Sequence, residues 1–169
     1  MFNIILIGFS HCGKTSSGKL LAEKLGYPFI DTDQLMLVGT EFKTSRELHK
    51  ALGNAAFRDL EAEKIAALNE YENTVIATGG GAVLMPANQE ILSQLGKLVY
   101  LVNTAEILWA RIKRHGIPSY LSSADDPYAA FLELYKERDA VYRRVADLLV
   151  DTQNKSPERV AAQLARKFS

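Results

Sequence analysis

Asn3-Ile4-Ile5-Leu6-Ile7-Gly8-Phe9-Ser10-His11-Cys12-Gly13-Lys14-Thr15, running on through Ser16 to Leu25, decides the fold. Residues 3–7 form a short apolar run ended by Gly8, the pattern of a strand covered on both faces. Residues 14–25 carry Leu20, Leu21 and Leu25 on a helical period. Between them, Gly8 to Thr15 fits G-x-x-x-x-G-K-[ST], with a strand before it and a helix after it. That setting points the backbone N–H groups of Gly8, Ser10, His11, Cys12, Gly13, Lys14, Thr15 and Ser16 at a phosphate, with the positive end of the helix dipole behind them. Lys14 supplies a point charge for β- and γ-phosphate oxygens, and the Thr15 hydroxyl is placed to ligate Mg²⁺. His11 and Cys12 make no metal site, since catalytic zinc takes three protein ligands. Both are expected to act as loop spacers.

Outward from this loop, short apolar runs alternate with amphipathic stretches. Strands are expected at 27–30, 75–77, 97–102 and 148–150, and helices at 33–38, 44–51, 54–71, 86–94, 104–114, 127–146 and 157–167. Strands apolar on both faces and spaced by helices imply a parallel sheet sandwiched between helical layers. Right-handed crossovers then bring every strand's C-terminal end to one edge, where ligands bind. Residues 115–126 break the alternation, being polar with Gly116 and Pro118 and no helical period. They read as a lid, about 113–126 with its flanks. The whole chain, 1–169, is expected to be one domain.

The composition sets limits. Of 169 residues, 47% are apolar and 24% charged, which excludes a disordered or disulfide-framework protein. Twenty Lys+Arg balance twenty Asp+Glu, so no net positive field exists to recruit nucleic acid or an anionic membrane surface. The single cysteine, Cys12, fits a reducing compartment. Met1-Phe2-Asn3-Ile4 lacks a basic n-region, so no signal peptide is expected, and no apolar run reaches the ~20 residues of a membrane span. The expectation is a cytoplasmic monomer without nucleic-acid or membrane partners.

Chemistry-bearing residues follow the other strands. In Asp31-Thr32-Asp33 the carboxylates at i and i+2 share one side of an extended chain. One can hold the metal and the other accept a hydroxyl proton, although one can also cap the next helix. Asp33 is expected at an ordinary pKa of about 4, a weak base. Arg58 has Glu61 one turn later, a pairing that can fix its guanidinium. Arg138 lies on the line Leu134–Arg138–Tyr142, where a purely structural helix prefers an apolar residue. A cation there needs an anion, and two guanidinium forks near one crevice suit a small carboxylate. Gly79-Gly80-Gly81, directly after a strand, reads as backbone left open to a ligand.

This ordered set resembles the shikimate kinase family over about residues 3–165. The resemblance implies an α/β, three-layer P-loop NTPase fold with a central five-stranded parallel sheet and a mobile lid, with a substrate-binding helical segment at about 33–61. It implies transfer of the ATP γ-phosphoryl group to the 3-hydroxyl of shikimate, with Mg²⁺. Carried over by position, Lys14 and Asp33 would be catalytic, and Thr15 and Asp31 would hold the metal. Asp33, Arg58, Gly79, Gly80, Gly81 and Arg138 would contact shikimate, and Arg111 and Asn154 would lie at the adenine. The chain departs from the family in its lid, where Ile117-Pro118-Ser119-Tyr120 replaces a usual Arg-Pro-Leu-Leu. It also has His11 for a loop glycine, His49 for a substrate-side phenylalanine, and Asn54 for a glutamate. A related kinase of another sugar acid such as gluconate, and a nucleotide-binding pseudokinase, are the rival readings.

Overall fold

A computed structural model describes residues 2–169, with Met1 outside the described residues. Five strands, β1 (Asn3–Ile7), β2 (Phe29–Asp31), β3 (Val75–Ala77), β4 (Gly96–Val102) and β5 (Leu148–Asp151), form one sheet in the order β2-β3-β1-β4-β5. Every pairing is parallel, with Ile5 of central β1 opposite Ile76 on one side and Leu98 on the other. All five residues of β1 are buried, as a strand covered on both faces must be.

The helices are α1 (Lys14–Leu25), α2 (Thr32–Leu37), α3 (Ser45–Leu52), α4 (Asn54–Ala66), α5 (Pro86–Leu95), α6 (Ala105–His115), α7 (Ser119–Ser122), α8 (Pro127–Val145) and α9 (Pro157–Phe168). Local chemistry sets their ends. α1 stops where Gly26 N–H donates to Glu23 O and Tyr27 N–H to Ala22 O, the paired bonds of a Schellman close. α3 starts with a capping box between Thr44 and Glu47. Thr104, Asp126 and Ser156 cap α6, α8 and α9.

One apolar cluster fills both sides of the sheet. A second, built on Met36, Leu48 and Phe57, ties α2, α3 and α4 to one another and makes a small core beside the crevice. Several elements differ from the sequence reading, among them β2, expected over 27–30 and found at Phe29–Asp31. The helix expected over 54–71 ends at Ala66 and tightens into a 3₁₀ turn over Ala67–Glu70, which buries Leu68. α2 begins one residue early because the Asp31 side chain caps it. The stretch 115–126 contains one helical turn, α7, because burying Leu121 in the main core draws the backbone into a turn that returns N–H bonds to Pro118 O.

Candidate active site

The loop after β1 is shaped by contacts that only its own residues allow. Gly8 has φ +142°, and a Cβ there would lie 3.0 Å from Cys12 Sγ and 3.1 Å from Leu101 O, so no side chain fits. Cys12 is buried in the main core, its Sγ 3.7 Å from Lys14 Nζ. Lys14 is buried, and its Nζ donates to Gly8 O (2.8 Å) and Phe9 O (2.7 Å), which keeps the ammonium inside the loop. His11 is more than a spacer, which corrects the sequence reading. It takes a left-handed φ of +67°, and its ring stacks on His115 at the end of α6, centroids 4.7 Å apart. Arg111 reaches the same turn, donating from Nη1 to His11 O at 2.7 Å. Ser10 and Ser16 are exposed at the loop and the start of α1. Asn154 is also exposed, with φ +56°, in the turn after β5, where Thr152 is pinned to Val102 O.

The two carboxylates at the end of β2 take different environments. Asp31 Oδ2 accepts the Thr15 hydroxyl at 2.7 Å, while its Oδ1 caps α2 by accepting Asp33 N–H at 3.0 Å. One aspartate therefore both caps the helix and stands beside the threonine. The two hard oxygens at the mouth of the loop are a donor set that fits Mg²⁺. A cavity of about 470 Å³ opens over them, lined by Thr15, Lys19, Asp31, Asp33, Lys43 and Thr44 among others.

Asp33 lies deeper. Burial, then the neighbouring Asp31 charge, push its carboxyl up to about 6; Glu61 adds to the rise, while Lys14 and Arg58 oppose it. The expected ordinary value of about 4 is thus corrected. Its cause, desolvation by a folded crevice, is invisible in a local sequence.

The glycine run after β3 is where the chain's far parts meet. A Cβ on Gly79 would lie 2.8 Å from Asp33 Oδ1, and one on Gly81 would overlap the Arg58 guanidinium. Arg58 Nη1 donates to Glu61 Oε1 at 2.7 Å, and Glu61 is buried. Gly80 O accepts the hydroxyl of buried Tyr142 from α8. Beside that hydroxyl lies Arg138, whose charge opposes the rise that burial imposes on the Tyr142 pKa. The Arg138 Cζ is 6.0 Å from the Phe9 ring centroid, and its Nε is buried without a partner. It makes no ion pair with any carboxylate among the described residues.

Asp31, Asp33, Arg58, Gly79–Gly81 and Arg138 are thus brought to one crevice edge beside the phosphate loop, while Arg111 lies on the loop's outer turn and Asn154 on the loop after β5. Residue-type reasoning passed over three supports. Thr32 Oγ1 accepts Gly79 N–H at 3.0 Å, joining α2 to the glycine run. Phe9 stacks on Tyr135 and meets Tyr142 and Phe131 edge-on, joining the loop to α8. Arg46 donates to Gly116 O at 2.8 Å. The burial of an apolar residue inside the phosphate motif was the one local clue, for Phe9.

A parallel sheet with a phosphate loop at its central strand, a threonine–aspartate pair beside it and a carboxylate facing paired cations defines a small-molecule kinase of the P-loop class. The sequence model of the family described as shikimate kinase matches residues 10–169. A shikimate kinase of Thermodesulfovibrio yellowstonii is 36% identical over 168 residues, covering 99% of this chain and 95% of that protein. One from Burkholderia pseudomallei is 39% identical over 152 residues, covering 89% and 80%. Among solved structures, shikimate kinase from Acinetobacter baumannii in complex with shikimate superposes with TM-score 0.87 at 30% identity, covering 99% of this chain and 93% of that one. The chain belongs to the shikimate kinase family. A gluconokinase from Sinorhizobium meliloti, at 22% identity and TM-score 0.61, shares the fold.

Proposed function

We propose that this chain moves the γ-phosphoryl group of ATP to the 3-hydroxyl of shikimate, giving shikimate 3-phosphate and ADP, with the residues above in the following roles. The loop N–H groups from Gly8 to Ser16 cradle the phosphates, and Lys14 swings from the loop carbonyls to the β/γ oxygens. Thr15 and Asp31 hold Mg²⁺, which when bound neutralises charge on those oxygens. Asp33 accepts the hydroxyl proton, and its raised pKa makes it a better base than an ordinary aspartate. Arg58, held by Glu61, and Arg138 grip the acid's carboxylate. The Gly79–Gly81 backbone lies against the ring, and Arg111 and Asn154 flank the adenine.

The observation that carries this reading is the Arg138 guanidinium, whose Nε is buried and unpartnered, beside a Tyr142 hydroxyl whose titration Arg58 also influences. A half-buried guanidinium that pairs with no carboxylate among the described residues, its Nε buried and unpartnered, supports an anionic ligand there. Both rivals are weaker: the gluconokinase likeness concerns the fold, and Lys14, Thr15, Asp31 and Asp33 are all in place against a pseudokinase. The unpaired Cys12, at home in a reducing compartment, supports a cytoplasmic setting. ADP release measured with shikimate and then with gluconate is the test. Release with shikimate alone is expected; release with gluconate alone, or with neither, would overturn the assignment.

A further inference from the structure

Of the lid, about 113–126, the cations Lys113 and Arg114 stand at the end of α6, while residues 116–126 beyond the joint hold no Lys or Arg and two aspartates, Asp125 and Asp126. Phosphoryl transfer needs positive charge around the moving group. Of the cations already described, Arg111 is engaged with the outside of the loop at His11 O.

Lys19 and Lys43 line the cavity beside the threonine–aspartate pair, and Arg46 is the cation that reaches the lid joint. It stands second in α3, in the first turn, where the helix dipole disfavours a positive charge. It contributes nothing to the cap there, which is complete: Glu47 Oε2 accepts the N–H groups of Lys43 and Thr44, and Thr44 accepts Glu47 N–H. It pairs with no carboxylate among the described residues. Among the described residues its side chain makes one hydrogen bond, from Nη2 to Gly116 O at 2.8 Å, between residues 70 apart in the chain.

Gly116 has φ +100° and is the joint between α6 and the lid. The residue before it, His115, stacks on His11 of the phosphate loop. The joint is therefore held from two sides, by α3 through Arg46 and by the loop through His11. Arg46 is also close enough to the loop for its charge to lower the His11 pKa, after burial, His115 and Lys14.

We propose that Arg46 is a positioning residue for phosphoryl transfer: it clasps the lid joint at Gly116 and, from α3, brings to the mouth of the phosphate site the positive charge that residues 116–126 lack. Its hydrogen bond to Gly116 O ties α3 to the lid joint, so a crevice closing over shikimate would carry the guanidinium with it. The inference rests on the kinase reading above.

The test compares parent, Arg46→Gln and Arg46→Lys. Arg46→Gln is expected to lower kcat by about 10- to 100-fold with the KM for shikimate changed less than about threefold, because the charge acts on the transferring group. Binding of MgADP with fluoroaluminate and shikimate, a mimic of the transfer state, should weaken by a similar factor, with binding of MgADP alone and the melting temperature unchanged. Arg46→Lys should recover part of kcat. A kcat within twofold of the parent, or a loss matched by an equal loss of MgADP binding or by melting, overturns the inference. Parent protein without shikimate-dependent ADP release would instead overturn the kinase reading, so the two failures are distinguishable.

Discussion

On α4, the Arg58 guanidinium is fixed by a 2.7 Å ion pair to a carboxylate whose side chain is 2% exposed. On α8, across the crevice, Arg138 has an aromatic ring, a tyrosine hydroxyl and an orphaned Nε for company. The two cations face the same place with opposite provisions. Arg58 is complete within the protein: Glu61 neutralises it and sets its direction against Gly81. Arg138 is half-buried beside the Tyr142 hydroxyl, has no carboxylate partner among the described residues, and leaves its Nε unpaired. In the proposed function, a pair built this way separates the two tasks of an acid-binding site. The neutralised arm gives shape and stability, and the unpaired arm gives the energetic demand for a carboxylate. Binding then costs little reorganisation on one side and relieves an unsatisfied group on the other.

The phosphate loop sets the scale for breaking that comparison. Lys14→Ala should lower kcat by about 10³-fold or more while the protein still melts cooperatively, since the ammonium's loss leaves the sheet intact. Retained turnover in a coupled ADP assay would remove the loop from the mechanism.

Next in size, the two arginines should part company. Arg138→Leu should raise the KM for shikimate by about 10- to 100-fold with the KM for ATP nearly unchanged, and leave stability equal or higher by about 1 kcal/mol as an orphaned group disappears. Arg58→Leu should weaken shikimate comparably and also destabilise by about 2–3 kcal/mol, because Glu61 is left buried without its partner. Denaturant melts of both variants check this; equal stability losses would erase the distinction.

Smaller effects attach to Asp33. With a pKa near 6 it must lose its proton to act as base, so kcat/KM should fall as the pH drops through about 6. An acid limb at about 4 would contradict the buried environment. The stability sign follows from the same shift. The folded-state pKa lies above the unfolded 3.8, so the carboxyl favours folding below that pH, and the advantage is lost as the pH rises through about 6. Asp33→Asn should therefore be inactive yet gain melting temperature over the parent, and the gain should grow between about pH 4 and pH 7. Smallest is Ile117→Arg. If Arg46 supplies the lid's charge, this substitution should change the parent's kcat by less than about threefold but restore part of the loss in Arg46→Gln.

What the sequence made legible follows chain distance. The phosphate loop is contiguous, so Gly8, Lys14 and Thr15 declare themselves in eight residues. The strands declare themselves because burial on both faces leaves unbroken apolar runs such as Ile4–Ile7. Arg138 was visible as a cation misplaced on an apolar helical line, and Glu61 as a partner one turn from Arg58. The remainder depends on elements meeting. Tyr142 reaching Gly80 O, His11 stacking on His115, and Arg46 bonded to Gly116 O join residues 62, 104 and 70 positions apart. The raised Asp33 pKa comes from desolvation that the folded crevice supplies, with the Asp31 charge next, and α7 forms because Leu121 finds the core.

The division of labour between the arginines has a direct test in the binding of shikimate and its methyl ester, measured by calorimetry on the parent and on Arg138→Leu. The account predicts that the parent prefers shikimate over the ester by about 100-fold and that Arg138→Leu loses most of that preference while binding the ester nearly as before. Undiminished discrimination by Arg138→Leu would show that the carboxylate is held elsewhere, and would contradict it.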